Sequence, residues 1–390
     1  MPKILLCVSG GIAAYKAIDL ASRMHKLGWD VRTVLTANTL KFVSGLNFAA
    51  ITGAGVHTSL FEDSDPIPHI SLADWADLVV VAPATANVIA KASQGIADDL
   101  LSSLLLAHTK PVLFVPAMNV NMYQHPATQA HLAMLRQRQN HILEPDTGLL
   151  ACGYEGRGKY PPNEEVLYAI RAYLKYKADL AGKKVLVTAG ATSEAIDPMR
   201  MITNNSSGKL GLALARAFAL RGAKVTLVYG RIDQPVPYYL EQALYTPSAE
   251  AMQVAVLKEA PMQDIIVKCA AVSDYKPPHP ETEKIKKGRK LDLELVPTPD
   301  ILAELGRSKS PGQKLIGFAA ETRNLIPHAL AKLRSKNLDL ICVNHLETAG
   351  ADTTTLTLIS ASQSTKKKHP VLAGDKFDVA LQLVDQIIRL

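Results

Sequence analysis

The stretch "LLACGYEGRGKY" (Leu149–Tyr160) sets one cysteine among glycines and charges, in a run too irregular to read as a strand or a helix. The chain has four cysteines, at positions 7, 152, 269 and 342. They make no CxxC or Cys/His spacing, so neither a zinc site nor a disulfide framework is indicated. Cys7, Cys269 and Cys342 lie in the apolar runs "KILLCV", "IIVKCA" and "LDLICV" and read as buried strand residues; Cys152 does not. Two glycine turns suggest another chemistry. "SGGIAAYK" (Ser9–Lys16) and "TAGATSEAIDPMRMITNNSSGKLG" (Thr188–Gly211) each lead into a helical pattern, where backbone N–H groups and the helix dipole suit phosphate oxygens. The first does not satisfy GxGxxG. The second is not a Walker A loop, because its GK is followed by leucine. Tight strand-to-helix packing explains the first equally well, and a capped helix with a polar loop the second.

Each turn opens the same kind of unit. "KILLCV", the turn, the helical "AAYKAIDLASRMHKLG" and the strand "DVRTVLT" form one βαβ unit. From Lys183 the pattern restarts: "KKVLVTAG", a long connection, the helix "GLALARAFALRG" and the strand "AKVTLVYG". Further strands are expected at Leu78–Ala82, Pro111–Val115, Asp264–Cys269, Lys314–Phe318 and Leu340–Asn344, with helices between them. This alternation predicts an α/β protein of two Rossmann-like domains, residues 1–180 and 181–390, with ligands at the carboxyl ends of the strands. The tail differs: "TLTLIS" and "KKHPVL" around "ASQSTK" suggest a hairpin, and "KFDVALQLVDQIIRL" a terminal amphipathic helix.

Composition narrows the class. The 390 residues are 48% hydrophobic and 20% charged, ordinary for globular cores, which disfavours disorder. No run approaches the roughly 20 apolar residues of a spanning helix, and the first residues enter a strand without a leader pattern, so a cytoplasmic protein without membrane partners is expected. The net charge of +7 and the cluster "EKIKKGRK" (Glu283–Lys290) lack the aromatic interleaving or motif of a nucleic-acid binder. Anionic small substrates or a solvated loop explain them equally well.

The strand-end residues of the first half carry a resemblance. "SGGIAAYK", "HISLADWAD", "APATANVIAK", "PAMNVNMY" and "ACGYEGRGK" together are similar to the flavin-containing cysteine decarboxylases, in particular the phosphopantothenoylcysteine decarboxylase domain, over residues 1–175. The resemblance implies FMN, held by Ser9, Gly10, Gly11, Thr36, Ala84, Thr85, Ala86, Asn87, Ser102 and Ala117. It implies His69 in the active base region, although a lone histidine there is more often a surface or cap residue. Asn119 would grip the substrate carboxylate and Cys152 would give the proton from a mobile loop. The implied chemistry oxidises the cysteinyl thiol to a thioaldehyde-like sulfur that takes the electrons released with CO2. A thiol suits the final step, since its reference pKa of about 8.5 lies near working pH. Gly153, Gly156 and Gly158 would let the loop close and open. Lys159 and Tyr160 depart from the family pattern, which has an arginine and a small or apolar residue there.

In the second half the long glycine segment, "AAVSDYKP", "EKIKK", "TPDIL", "GFAAET" and "AKLRSKNLDL" resemble phosphopantothenate-cysteine ligase over residues 183–390. The whole sequence thus resembles the bacterial bifunctional decarboxylase/ligases of coenzyme A biosynthesis. The resemblance implies CTP and Mg2+, with 4′-phosphopantothenate activated as an acyl-cytidylate before L-cysteine attacks. Asn204 would contact that intermediate and Lys286 would stabilise charge as it forms. Asp274, Pro299, Asp300, Ile301, Leu302, Phe318, Lys332 and Lys336 would form the nucleotide site; Lys332 and Lys336, four apart, share a helix face. Departures fall at Ala191, where proline is common, and at His345, where aspartate is. The family also implies a homo-oligomer, a dodecamer built of trimers and dimers. A non-catalytic flavin-binding regulatory protein is the competing reading, and it would need neither Cys152 nor a complete second half.

Overall fold

The computed structural model describes residues 1–61, 66–288, 291–321, 325–345, 350–363 and 369–390. It divides into two compact units, Met1–Lys177 and Ala178–Leu390.

In the first unit the chain alternates: β1 (Lys3–Val8), α1 (Ala14–Lys26), β2 (Asp30–Leu35), α2 (Gly45–Thr52), β3 (Val56–His57), α3 (Pro68–Trp75) and β4 (Leu78–Ala84). It continues with α4 (Ala86–Gln94), α5 (Leu100–Ala107), β5 (Val112–Pro116), α6 (Val120–Gln124), α7 (Pro126–Gln137) and β6 (His141–Ile142). A hairpin, β7 (Asp146–Leu149) and β8 (Glu155–Lys159), precedes α8 (Asn163–Tyr173). Six strands form one parallel sheet in the order β3-β2-β1-β4-β5-β6. β4 is buried along its whole length, as a parallel strand covered on both faces must be. Leu5, Val79, Val81 and Phe114 face Leu72 of α3, Ile89 of α4, Leu101 of α5 and Leu132 of α7.

The second unit repeats the plan. It runs β9 (Lys184–Ala189), the hairpin β10 (Ser193–Asp197) and β11 (Arg200–Thr203), α9 (Lys209–Leu220), β12 (Lys224–Tyr229), β13 (Gln242–Tyr245) and α10 (Ala249–Glu259). Then come β14 (Ile265–Lys268), β15 (Tyr275–Lys276), β16 (Val296–Pro297), α11 (Ile301–Ser308), β17 (Lys314–Glu321), α12 (Leu325–Ser335) and β18 (Leu340–His345). The chain closes with β19 (Thr353–Ser360), β20 (Val371–Asp375) and α13 (Lys376–Ile388). The sheet order is β13-β12-β9-β14-β17-β18-β19-β20, parallel until β18 and antiparallel beyond. Its first six strands therefore follow the spatial order of the first unit, the 3-2-1-4-5-6 arrangement of dinucleotide-binding sheets.

Several expectations are corrected. Leu149–Tyr160 is mostly hairpin: the glycines that hide the strand pattern sit where side chains would collide. A Cβ on Gly158, at φ +150°, would meet the Met118 carbonyl at 2.3 Å, and one on Gly156 would meet Val120 at 2.7 Å. These two glycines serve close approach rather than hinging; Gly153, at φ +82° with nothing nearby, belongs to the turn. The long connection after β9 contains the β10–β11 hairpin, whose short strands carry little periodicity. His69 lies inside the first turn of α3. Cys269 follows β14 and is only partly buried, whereas Cys7 and Cys342 are buried as expected. In the tail the second strand is Val371–Asp375, not "KKHPVL"; residues 364–368 lie outside those described.

Ala191, in place of a proline, uses the N–H that proline lacks, donating it to the Arg231 carbonyl at 3.0 Å. The side chain of His345 lies outside the described residues. α9 approaches β9 so closely that a Cβ on Gly211 would lie 2.6 Å from that of Ala189. Gly211→Val should therefore lower unfolding stability by about 1–3 kcal/mol through overpacking, read as a lower urea midpoint in far-UV circular dichroism.

Candidate functional site

Where a parallel sheet reverses its strand order, the neighbouring crossovers leave towards opposite faces and a crevice opens at the carboxyl ends. Both units have their cavity there. In the first, the crevice between β1 and β4 is lined by Gly10 and Gly11 beyond β1 and by Pro83, Thr85 and Ala86 at the end of β4, with a volume of ≈ 460 Å³. The remaining wall is Ala117–Asn119, Met122, the hairpin residues Leu149–Cys152 and Gly158–Tyr160, and Ile12, Tyr15 and Lys16 of the first turn and helix. A mainly apolar lining with backbone N–H groups at two helix starts fits a flat heterocycle carrying a phosphate.

The turn is built by close contacts. A Cβ on Gly10 would fall 2.5 Å from that of Asn38, so this glycine lets the loop after β2 reach the β1 turn. Ser9 is buried; its hydroxyl donates to the Pro83 carbonyl at 2.7 Å and accepts the Thr85 N–H at 3.0 Å. It braces β4 against β1. The Thr36 hydroxyl lies 2.9 Å from that of Thr39, and Thr39 in turn donates to the Val8 carbonyl at 2.6 Å. Thr85 caps α4, with Val88 N–H at 3.5 Å. Gly10, Gly11, Thr85, Ala86, Ala117, Asn119 and Cys152 are thus brought together, while Ser9, Thr36 and Ala84 stand behind the lining. Asn87 is exposed on α4.

Ser102 and His69 are placed elsewhere. Ser102 closes a capping box with Asp99 at the start of α5 and lines a different cavity, beside Lys91 and His108. His69 is not part of the lining, and its Nδ1 is buried with no hydrogen-bond partner among the described residues.

Cys152 is the tip of the β7–β8 hairpin and is exposed. The Asn119 Oδ1 accepts the Asn121 N–H at 2.8 Å, which turns its Nδ2 towards Cys152; that group donates to Sγ at 3.1 Å. The Asn119 amide and the Tyr154 N–H hold the thiol below its ordinary pKa, since both stabilise the thiolate. The hairpin is fastened by the Met118 N–H, which donates to the Gly158 carbonyl at 3.0 Å. Two cations stand on this wall: Lys16, to which sequence reasoning gave no role, and Lys159, which it marked only as a departure from the family pattern. Lys16 lies 5.4 Å above the Tyr160 ring, and burial, then the nearby Lys159, lower its pKa. Lys159 packs along Gly148 across the hairpin, and Tyr160 is buried with its hydroxyl 3.2 Å from Asn163.

The second cavity, ≈ 670 Å³, lies between Gly190 beyond β9 and Cys269–Val272 beyond β14. Asn204–Gly211 forms its floor; the N-cap of α9 is Gly208, at φ +72°, and no side chain among the described residues caps the helix there. An uncapped helix start is an anion site in waiting. Lys209, Lys332 and Lys376 line the same cavity with Asn204, Asp274 and Phe318. Lys209 pairs with Asp352 at 2.6 Å, and the Lys376 ammonium donates to the Ala351 carbonyl. Asn204 is aimed by its Nδ2, which donates to the Val272 carbonyl at 3.0 Å.

The other residues of the expected nucleotide set are not in this lining. Lys336 pairs with Asp300 at 2.8 Å, and Asp300 also caps α11. Ile301 is buried in the core and Leu302 packs against it. Pro299 is half-buried at the end of the β16 segment, and Lys286 is exposed on its loop. Beneath the Asp300–Lys336 pair, Lys268 is buried at the end of β14, and desolvation lowers its pKa to about 8.

Residues 1–175 match the family model described as Flavoprotein, and residues 180–390 that of the DNA/pantothenate metabolism flavoprotein C-terminal domain. The sequence is 43% identical to the coenzyme A biosynthesis bifunctional protein CoaBC of Bacillus subtilis (strain 168), over 99% of this chain and 97% of that protein. The protein of the same name from Haemophilus influenzae is 40% identical, again over 99% of this chain and 97% of the relative. The crystal structure of the C-terminal domain of a CoaBC protein aligns at 36% identity and a TM-score of 0.46, covering 54% of this chain and 96% of that one.

If Asn119 donates to the thiol, removing the amide must raise the Cys152 pKa. Asn119→Ala should move the pH profile of Cys152 alkylation to higher pH and slow alkylation at pH 7, measured with iodoacetamide and peptide mass spectrometry; coincident profiles would exclude the contact.

Proposed function

The chain belongs to the family of bifunctional coenzyme A biosynthesis proteins, and from that premise we propose that its two cavities run consecutive steps on one substrate. Residues 181–390 join 4′-phosphopantothenate to L-cysteine at the expense of CTP. Residues 1–180 decarboxylate the resulting phosphopantothenoylcysteine to 4′-phosphopantetheine with FMN. The observation that carries this reading is the pair of unlike cavities at equivalent switch points: one mainly apolar and closed by a thiol-bearing hairpin, the other floored by an uncapped helix start and ringed by lysines.

In the ligase cavity the triphosphate lies against the N–H groups of Ser207–Gly211, with Lys209, Lys332 and Lys376 offsetting its charge. The substrate carboxylate attacks the α-phosphate, pyrophosphate leaves, and the cysteine amine then displaces CMP. Asn204 orients the acyl-cytidylate, and Lys286 approaches from its loop as charge develops. Phe318 in the lining faces the base, with Pro299 and the preformed Asp300–Lys336 pair beyond it, while Ile301 and Leu302 support that edge from the core. Mg2+ accompanies the triphosphate; Asp274 is the carboxylate within the lining.

In the decarboxylase cavity FMN, when bound, supplies the oxidation that makes loss of CO2 possible and the matching reduction. Gly10, Gly11 and the start of α4 hold its phosphate, and the apolar wall excludes water. Asn119 gives the substrate carboxylate the N–H now directed at sulfur. Cys152, its pKa held towards working pH, delivers a proton to the product carbon. Lys16 and Lys159 balance the anionic substrate. His69 and Ser102, outside the lining of one chain, belong to the same proposal through the homo-oligomer that the family resemblance implies. Coenzyme A biosynthesis is a cytoplasmic task, and no helix among the described residues is long and apolar enough to cross a membrane. A regulatory flavin-binding protein would explain the first cavity alone and leaves the second without a purpose.

Purified protein supplied with FMN, Mg2+, CTP, 4′-phosphopantothenate and cysteine should release CO2, pyrophosphate and 4′-phosphopantetheine. Product stopping at phosphopantothenoylcysteine would remove the decarboxylase assignment, and absence of CTP-dependent pyrophosphate would remove the ligase. Cys152→Ser should accumulate an oxidised, decarboxylated intermediate detectable by mass spectrometry. Lys286→Ala should slow pyrophosphate release on the order of 100-fold, the range for losing one transition-state donor, while decarboxylation of supplied phosphopantothenoylcysteine stays unchanged.

A further inference from the structure

Lys286 sits in a long connection from Pro277 to Leu295, closed at its base by the β15–β16 ladder and without regular structure in its described part. Such a loop cannot by itself hold a lysine in one place. Near its middle it is tied to the β10–β11 hairpin. Glu281 N–H donates to the Ile196 carbonyl at 2.9 Å. The Ile285 N–H donates to Asp197 Oδ2 at 3.1 Å, and the Ile285 carbonyl accepts from Arg200 Nη1 at 3.2 Å. Both backbone groups of the residue between Lys284 and Lys286 are therefore engaged, which fixes the direction of the chain on either side.

Asp197 is the centre of this clasp. It is 3% exposed, and its other oxygen accepts the N–H groups of Met199 and Arg200 at 2.7 and 2.8 Å, closing the hairpin turn. The Arg200 guanidinium reaches Oδ2 at 2.6 Å. Burying a carboxylate is costly unless its oxygens are fully engaged, and an apolar turn would close the hairpin without that cost. A buried charge spent partly on the backbone of an otherwise exposed loop points to a demand for position. The next residues of the hairpin, through Thr203, lead straight to Asn204 in the ligase cavity.

We propose that Asp197 is a positioning residue of the ligase: by clasping Ile285 it sets Lys286 in fixed relation to the hairpin that delivers Asn204. This rests on the role given to Lys286 above. Burial acts to raise the Asp197 pKa, but the N–H donors of Met199, Ile285 and Arg200 and the charge of Arg200 outweigh it, so the carboxylate stays ionised and able to accept.

Asp197→Asn keeps the shape but offers an N–H in place of one acceptor. In the full-length enzyme it should speed amide hydrogen exchange at Ile285 and lower kcat for CTP-dependent pyrophosphate release by about 10–100-fold, the cost of a misplaced group, with KM for CTP little changed. Decarboxylation of supplied phosphopantothenoylcysteine should be unaffected. In a Lys286→Ala background, followed under single-turnover conditions, the same substitution should cost nothing further, because the two residues act as one unit. An equal fold-loss in both backgrounds, or unchanged exchange at Ile285, overturns the proposal. If Lys286→Ala alone leaves pyrophosphate release intact, the role of Lys286 fails; faster Ile285 exchange in Asp197→Asn would then locate the failure there and not in the clasp.

Discussion

Parallel strands cannot be joined by tight turns, so each needs a crossover, and the crossovers must cover both faces of the sheet. In both units the order reverses between the first and fourth strands, β1 and β4 in one, β9 and β14 in the other. The backbone leaving those ends parts to opposite faces, and nothing fills the gap. Each cavity is a consequence of that topology. What differs is what lies around it: small and apolar residues after β1 and β4, and a long glycine- and serine-bearing segment with lysines after β9.

Local geometry then decides where individual side chains point. Asn119 has its oxygen occupied by the backbone of Asn121, which turns its N–H groups to the Cys152 sulfur. Gly156 and Gly158 let β8 lie against Met118 and Val120, so the Cys152 tip is carried on an ordered ladder and not on a slack loop. In the second unit a buried carboxylate does comparable work by gripping the main chain of Ile285. In each case a side chain that looks mobile in the sequence stands on backbone held by hydrogen bonds to a neighbour.

The sequence alone determined the α/β class, the restart of the pattern near Lys183, most strands to within a few residues, and the family resemblance. These are local or composition-level properties: apolar period, glycine turns and ordered motifs. It also singled out Gly10, Gly11, Asn119, Cys152, Asn204 and Asp274, which meet in the two cavities from loops that follow strands, and Lys332, which reaches the second cavity from α12. Tertiary structure decided the rest. The hairpins β7–β8 and β10–β11 are stabilised by contacts with distant chain, so their short, glycine-broken strands carry no readable period. Lys16, Lys209 and Lys376 read as ordinary surface charges until the fold turns them inward around a cavity, and Ile301 reads as a ligand contact until its burial is seen. Which residues stand within reach of one another depends on the packing of segments far apart in the chain, and that information no local pattern holds.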